Sequence, residues 1–321
     1  VTLRRDLVRN EENALIKSNI SITTCTFSET GELIHQADKQ TLQAHENQFF
    51  ISTKTVDGSF TSSFGKLGVL TDTEVTSYKN ARNQALQGAK LLCNLQSTNG
   101  QVQSSIYSSA CAHDNNVFIA TVSKISHCGS VKPNKAKIND DSSQIVSFDG
   151  KILATLANDK EGVIFADINM DNAGLEKHQR ADGTSFTTQH RPELYQQLVL
   201  TAKLSKSETI KRKTPETVNV ALFATYKSNE QAIEDVCYYI ENNLSDIIQL
   251  PELFFLSDKT IANDAIQRVE LETFCQTMIK QVSAVLRPFQ YVCTSLIING
   301  SHQAVLINEN GIFAIQQQLH F

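Results

Sequence analysis

Leu67-Gly68-Val69-Leu70-Thr71-Asp72-Thr73-Glu74 is a strand-length apolar run that breaks abruptly into acids. Residues 77–92 follow it with Ala81, Ala85, Ala89 and Leu92 near one helical face, and Lys90 to Leu95 turns apolar again at strand length. Strand, helix, strand in so short a span argues α/β layering. Asp72 lies directly after that strand.

The alternation continues outward. Ser104 to Asn115 reads as a second helix and Val117 to Val122 as a buried strand. Val146 to Leu153 reads as a hairpin whose Asp149-Gly150 supplies left-handed turn geometry. Val163 to Ile168 reads as another strand. Upstream, residues 18–26 and 31–37 read as strands around a turn at Glu29-Thr30-Gly31. A polar stretch from Lys203 to Thr217, carrying Pro215, lacks apolar periodicity and reads as a linker. The pattern then restarts. Val218 to Ala224 is strand-like, and a helix follows with Ser228 and Gln231 in capping-box spacing. Ile247 to Leu250 is a strand, and residues 263–286 form a long amphipathic helix with Ile266, Val269, Phe274, Met278, Val282 and Val285 near one side. Tyr291 to Ile298 and Ala304 to Ile307 are the last strands. The expected domains are residues 1–205, a linker at 206–217, and 218–321, with α/β layering throughout.

A weak repeat runs through the chain. Ser295-Leu296-Ile297 through Gly311 lies on Ala14-Leu15-Ile16 through Gly31 with one residue of slippage. Both lead through apolar strands to an acidic turn ending in glycine.

Four segments together resemble the nitrilase, or carbon–nitrogen hydrolase, superfamily. The first is Val218 to Leu222 with Asp246 to Phe255, similar to the family's first strand and its glutamate-bearing element around Leu250-Pro251-Glu252. The second is Gly31-Glu32-Leu33-Ile34 with Lys39 and Leu42. The third is Gly68 to Glu74 with Arg82 and Gly88-Ala89, and the fourth is Ala110 to Phe118. Residues 148–154, 162–168 and 191–195 look like the family's C-terminal portion. The resemblance implies a nitrilase-like αββα sandwich. Segments resembling the family's C-terminal two-thirds precede those resembling its N-terminal third, so the units are permuted or incomplete and in tandem.

The resemblance also implies roles. Glu252 takes the general base, Lys39 the oxyanion-stabilising cation, Glu46 the second acid, and Asp72 the seat of the family's cysteine nucleophile. A thiolate beside a base and a cation is a strong nucleophile, and a fixed ammonium stabilises charge that appears only in the transition state. An aspartate in that seat is expected to pair with Lys39 instead, and acyl transfer to it would form a high-energy anhydride. The expected function is a non-catalytic binding, regulatory or assembly component. The alternative is a working carbon–nitrogen hydrolase acting on a small amide or nitrile. Cys111 falls where the family often has arginine and reads as a core thiol.

The remaining features set bounds. The 321 residues carry a formal net charge of −5 and no phosphate-binding glycine loop, so nucleic acid is not an expected partner. The Lys211-Arg212-Lys213 run reads as a solvated part of the linker. No apolar run reaches membrane-spanning length. Seven scattered cysteines with no CxxC pair fit free thiols in a reducing cytoplasm. His113, His127 and His190 lack ligand spacing, so neither metal nor cofactor is expected. Asn19, Asn243 and Asn299 begin N-x-S/T triplets that carry little weight without a signal peptide. An opening Val1 reads as a processed or excised chain. A small amide-like ligand and a homo-oligomer, with segments swapped between subunits, are the expected partners.

Overall fold

The computed structural model describes residues 1–52, 58–96, 104–124, 142–157, 160–177, 183–184, 191–194, 217–224, 227–257 and 265–317. The chain divides into two compact units, Val1–His190 and Arg191–Phe321. The expected linker at 206–217 lies outside the described residues except for Thr217.

The first unit opens with an antiparallel meander of β1 (Thr2–Arg9), β2 (Leu15–Phe27) and β3 (Leu33–Asp38). Next comes a six-stranded sheet in the order β4 (Ser59–Ser62), β5 (Gly65–Thr71), β6 (Leu91–Gln96), β7 (Phe118–Ser123), β8 (Ser143–Val146) and β9 (Ile152–Leu156). Its three inner strands, β5 to β7, are parallel and its flanks antiparallel. Helices α1 (Tyr78–Leu86) and α2 (Ser104–Asn115) make the two crossovers that parallel pairing demands.

Small residues let these helices lie close to the sheet. Ala81, Ala85, Ala89, Cys111 and Ala112 form one cluster with Leu70, Leu92, Val117, Ile119 and Val146. Full burial of a side chain such as Leu70, Leu92 or Ile119 stabilises by roughly 1.5–3 kcal/mol. Gly68 is part of the same economy of space. A Cβ there would meet Gln84 Oε1 at 2.1 Å and Leu92 Cδ2 at 2.5 Å. Gln84 cannot simply withdraw, because its Nε2 donates to the Val69 carbonyl at 2.7 Å.

In the second unit, β10 (Val220–Leu222), β11 (Ile247–Gln249), β12 (Tyr291–Ile298), β13 (Ser301–Asn308) and β14 (Gly311–Gln317) form one sheet in that order. The first three strands are parallel and the last three antiparallel. Helices α3 (Asn229–Asn242) and α4 (Ala265–Val285) share a core with the sheet that includes Ala232, Val236, Ile240, Phe255, Met278, Val282, Val292 and Leu296.

Several expectations are corrected. The helix expected over 77–92 stops at Leu86, because Gly88 at φ +92° turns the chain into β6. Val163 to Ile168 pairs with no described strand, and Val163 and Phe165 are 89% and 87% exposed, so an apolar run without a ladder is not a strand. Ser228 occupies the N-cap of α3 but its side chain makes no capping hydrogen bond. The repeat is realised at its turn only. Gly31 and Gly311 both lie at positive φ in the β2–β3 and β13–β14 hairpins, whereas Ser295–Ile297 lies on β12 and Ala14–Ile16 leads into β2. The side chains of Ile266 and Val269 lie outside the described residues.

Gly68→Ala is expected to destabilise the first unit by about 1–3 kcal/mol through overpacking. Denaturant unfolding read at both units measures it, and an unchanged midpoint would mean that Gln84 is free to move.

Candidate active site

Three parallel strands end together in the first unit, and the residues at their carboxyl ends form one wall of a cavity. Thr71 and Asp72 close β5, Leu95 and Gln96 close β6, and Val122, Ser123 and Lys124 close β7. Ile22 of β2 and Lys39, just beyond β3, contribute from the meander, with His45, Glu46 and Phe50 from the segment after it. The cavity measures about 580 Å³. A crevice at the carboxyl ends of parallel strands is the general place for ligands in α/β sheets.

Lys39 is the centre of the base. It is 1% exposed, so its ammonium must be fully paired to be tolerated. Its Nζ donates to Glu46 Oε1 at 2.8 Å, to Glu46 Oε2 at 2.9 Å and to Asp72 Oδ2 at 2.9 Å. An ammonium has three hydrogens, and all three have carboxylate oxygens. Gln43 finishes the arrangement, its Nε2 donating to Asp72 Oδ2 at 2.7 Å and its backbone N–H to Glu46 Oε2 at 2.7 Å.

Asp72 is held by its backbone as well. It lies at φ +58°, in the left-handed region that Asp tolerates better than most side chains. A short 3₁₀ turn, Asp72–Thr76, starts there. Glu74 pins that turn to the lysine-bearing segment. Its Oε2 accepts from Thr71 N at 2.9 Å, while its Oε1 accepts from Gln40 N at 2.6 Å, Thr41 N at 3.2 Å and Asn80 Nδ2 at 2.8 Å. Thr24 and Thr71 join β2 to β5 through hydroxyls 2.9 Å apart. Burial pushes the Glu74 carboxyl above its ordinary value, and the three backbone N–H groups and Lys39 pull part of that back.

Of the four residues singled out in the sequence, Lys39, Glu46 and Asp72 meet in this cavity. Glu252 belongs to the second unit, following Pro251 after β11. It is exposed, so no buried partner is required of it, and its Oε1 stands 3.7 Å from His302 Nε2. His302 in turn contacts Ser295 Oγ at 2.8 Å, and Ser295 accepts from Leu253 N at 3.0 Å. Gln43 and the pinning role of Glu74 were missed. Thr71-x-x-Glu74 is itself a capping-box spacing and could have disclosed the second; nothing in the sequence marks Gln43.

The described cysteines offer no substitute nucleophile here, since none lines the cavity. Burial pushes the Cys111 thiol up to about 12 and the Cys275 thiol to about 11, and Cys93 and Cys237 are raised by the same cause. Among the described residues no group of three or more His, Cys, Asp or Glu is placed to hold a metal ion. None of the described helices is long and apolar enough to cross a membrane.

Glu74→Ala leaves the N–H groups of Gln40, Thr41 and Thr71 without their acceptor and is expected to cost at least about 2 kcal/mol. A carboxyl raised in the folded state makes that state bind its proton more tightly. Its stabilising contribution is therefore present below the ordinary value of 4.5 and is lost as pH rises through the raised value. Melting curves from pH 4.5 upward should show the wild type losing stability relative to Glu74→Ala; parallel curves would contradict the shift.

The carbon–nitrogen hydrolase family model matches residues 8–176, more than half of the chain and wholly within the first unit. Similar solved structures include a Saccharomyces cerevisiae member of branch 10 of the nitrilase superfamily, 23% identical, covering 44% of this chain and 51% of that one with a TM-score of 0.39. A carbon–nitrogen hydrolase from Helicobacter pylori is 19% identical, covering 56% and 66%, with a TM-score of 0.47. An alanine variant of an amidase from Nesterenkonia is 24% identical, covering 44% and 52%, with a TM-score of 0.36. The chain thus spans about half the length of two of these proteins and about two thirds of the third. No curated protein sequence matches it. By the match of its first unit, the chain belongs to the carbon–nitrogen hydrolase family.

Proposed function

We propose that this chain is a non-catalytic member of its family, in which Asp72 takes the seat of the attacking thiol and the cavity binds a small polar ligand without cleaving it. One observation carries the reading: every N–H of the Lys39 ammonium is matched to a carboxylate oxygen, and one of those oxygens belongs to Asp72. An oxyanion forming nearby would have to displace Asp72 or Glu46 from the lysine, so the transition-state stabilisation expected of that cation is spent in the ground state. A carboxylate also makes a poor acyl acceptor, because the product is an anhydride.

Placement in a reducing cytoplasm agrees with the six described cysteines, all free thiols. A regulatory or assembly role, a homo-oligomer with swapped segments, and domains at 1–205 and 218–321 joined by a linker belong to the same proposal. So does the absence of nucleic acid as a partner. The hydrolase alternative draws on the Lys39–Glu46 pair, which retains the cation and an acid beside the seat of attack; Glu252 would be its general base.

Ammonia release from isobutyramide and butyronitrile separates the two readings. The expected result is no release above the uncatalysed rate, and no covalent adduct at residue 72 by mass spectrometry. Turnover that disappears in Asp72→Ala would overturn the non-catalytic reading. Light scattering tests the assembly, which a strictly monomeric particle would contradict.

A further inference from the structure

The cavity has an apolar stretch on its walls and charge at its base. Ile22, Phe50, Leu95 and Val122 line it beside the Lys39, Glu46 and Asp72 group. That group carries one positive and two negative charges, so the base is net negative. Glu74, immediately behind it and in the field of Lys39, adds negative charge whenever it is ionised. The other titratable groups on the lining are His45, Lys124 and the Val1 amino group, all three residues exposed at the rim. Rim charges in contact with water are screened, whereas the base charges, 1% exposed at Lys39 and 7% at Asp72, act through protein.

A site for an oxyanion needs donors, and the buried ammonium of Lys39 has none left to give. What the base presents is the net negative charge of two carboxylates against one ammonium. We propose that the cavity selects a small organic cation, an alkylammonium, with its N–H groups toward the Asp72 and Glu46 carboxylates and its alkyl body against the apolar walls. A free carboxylate of equal size would meet net negative charge and a saturated lysine, and is excluded. A neutral amide falls between the two. The inference rests on the reading that residue 72 holds Lys39 instead of attacking a ligand, and it names the class of ligand for that same site.

Isobutylammonium, isobutyramide and isobutyrate share one carbon skeleton and differ in the head, so they isolate its charge. Calorimetric titration of the full chain at pH 7 should give tightest binding for isobutylammonium, with at least a tenfold advantage over isobutyrate. In Asp72→Asn, which keeps the shape and removes one negative charge, that advantage should shrink at least fivefold. Equal or tighter binding of isobutyrate by the wild type overturns the proposal, as does a preference that Asp72→Asn leaves intact. Failure of isobutylammonium to bind at millimolar concentration, with circular dichroism showing a folded protein, overturns it as well. Ammonia released from isobutyramide during the same titration would sink the non-catalytic reading itself. Its absence alongside a failed preference would sink only the ligand class.

Discussion

A buried ammonium must be compensated, and in the first unit that requirement organises everything around it. Lys39 is almost wholly removed from water. Leaving such a cation unpaired costs several kcal/mol, so the chain has to bring anionic oxygens to it. Glu46 arrives from the same segment, seven residues on, and Asp72 from the end of β5. The meander and the six-stranded sheet are thus tied at one point by charge, and Thr24 with Thr71 ties them again by a neutral hydrogen bond. Glu74 fixes the geometry from behind, accepting backbone N–H groups from both sides of the junction.

In the proposed reading, the same pairing decides what the cavity can do. Hydrolysis of a carbon–nitrogen bond asks the cation to gain its partner during the reaction, because only interactions stronger in the transition state accelerate chemistry. A lysine whose hydrogens already reach three carboxylate oxygens has little left to gain. In the proposed reading, a carboxylate in place of the family's sulfur would change two things at once: it would remove the nucleophile and satisfy the cation. What would remain is a buried charged base beside apolar side chains, a composition that suits a binding pocket.

Much of this was legible in the sequence where local chemistry and long-range pairing agree. The apolar run ending at Asp72, the helix Ser104–Asn115 and the strand Tyr291–Ile298 all stand where their patterns put them. The site residues Lys39, Glu46 and Asp72 came from family spacing, and no periodicity would have joined positions so far apart. The failures share a cause. Strands Thr2–Arg9 and Gly311–Gln317 sit at sheet edges with mostly exposed side chains, so they lack apolar alternation, and only the ladder to their neighbours defines them. Val163 to Ile168 has the apolar pattern and no described ladder. Gln43 was invisible for a similar reason, since its role exists only once Asp72 is brought to it from 29 residues away.

A double-mutant cycle on Lys39→Met and Asp72→Asn measures most directly whether residue 72 holds the ammonium. Each single change should destabilise the protein, and the double variant should lose less than the two losses combined, by at least about 1 kcal/mol, as for partners in direct contact. Strictly additive losses would mean that Asp72 and Lys39 do not depend on each other, and the pairing described here would not be what fills the seat.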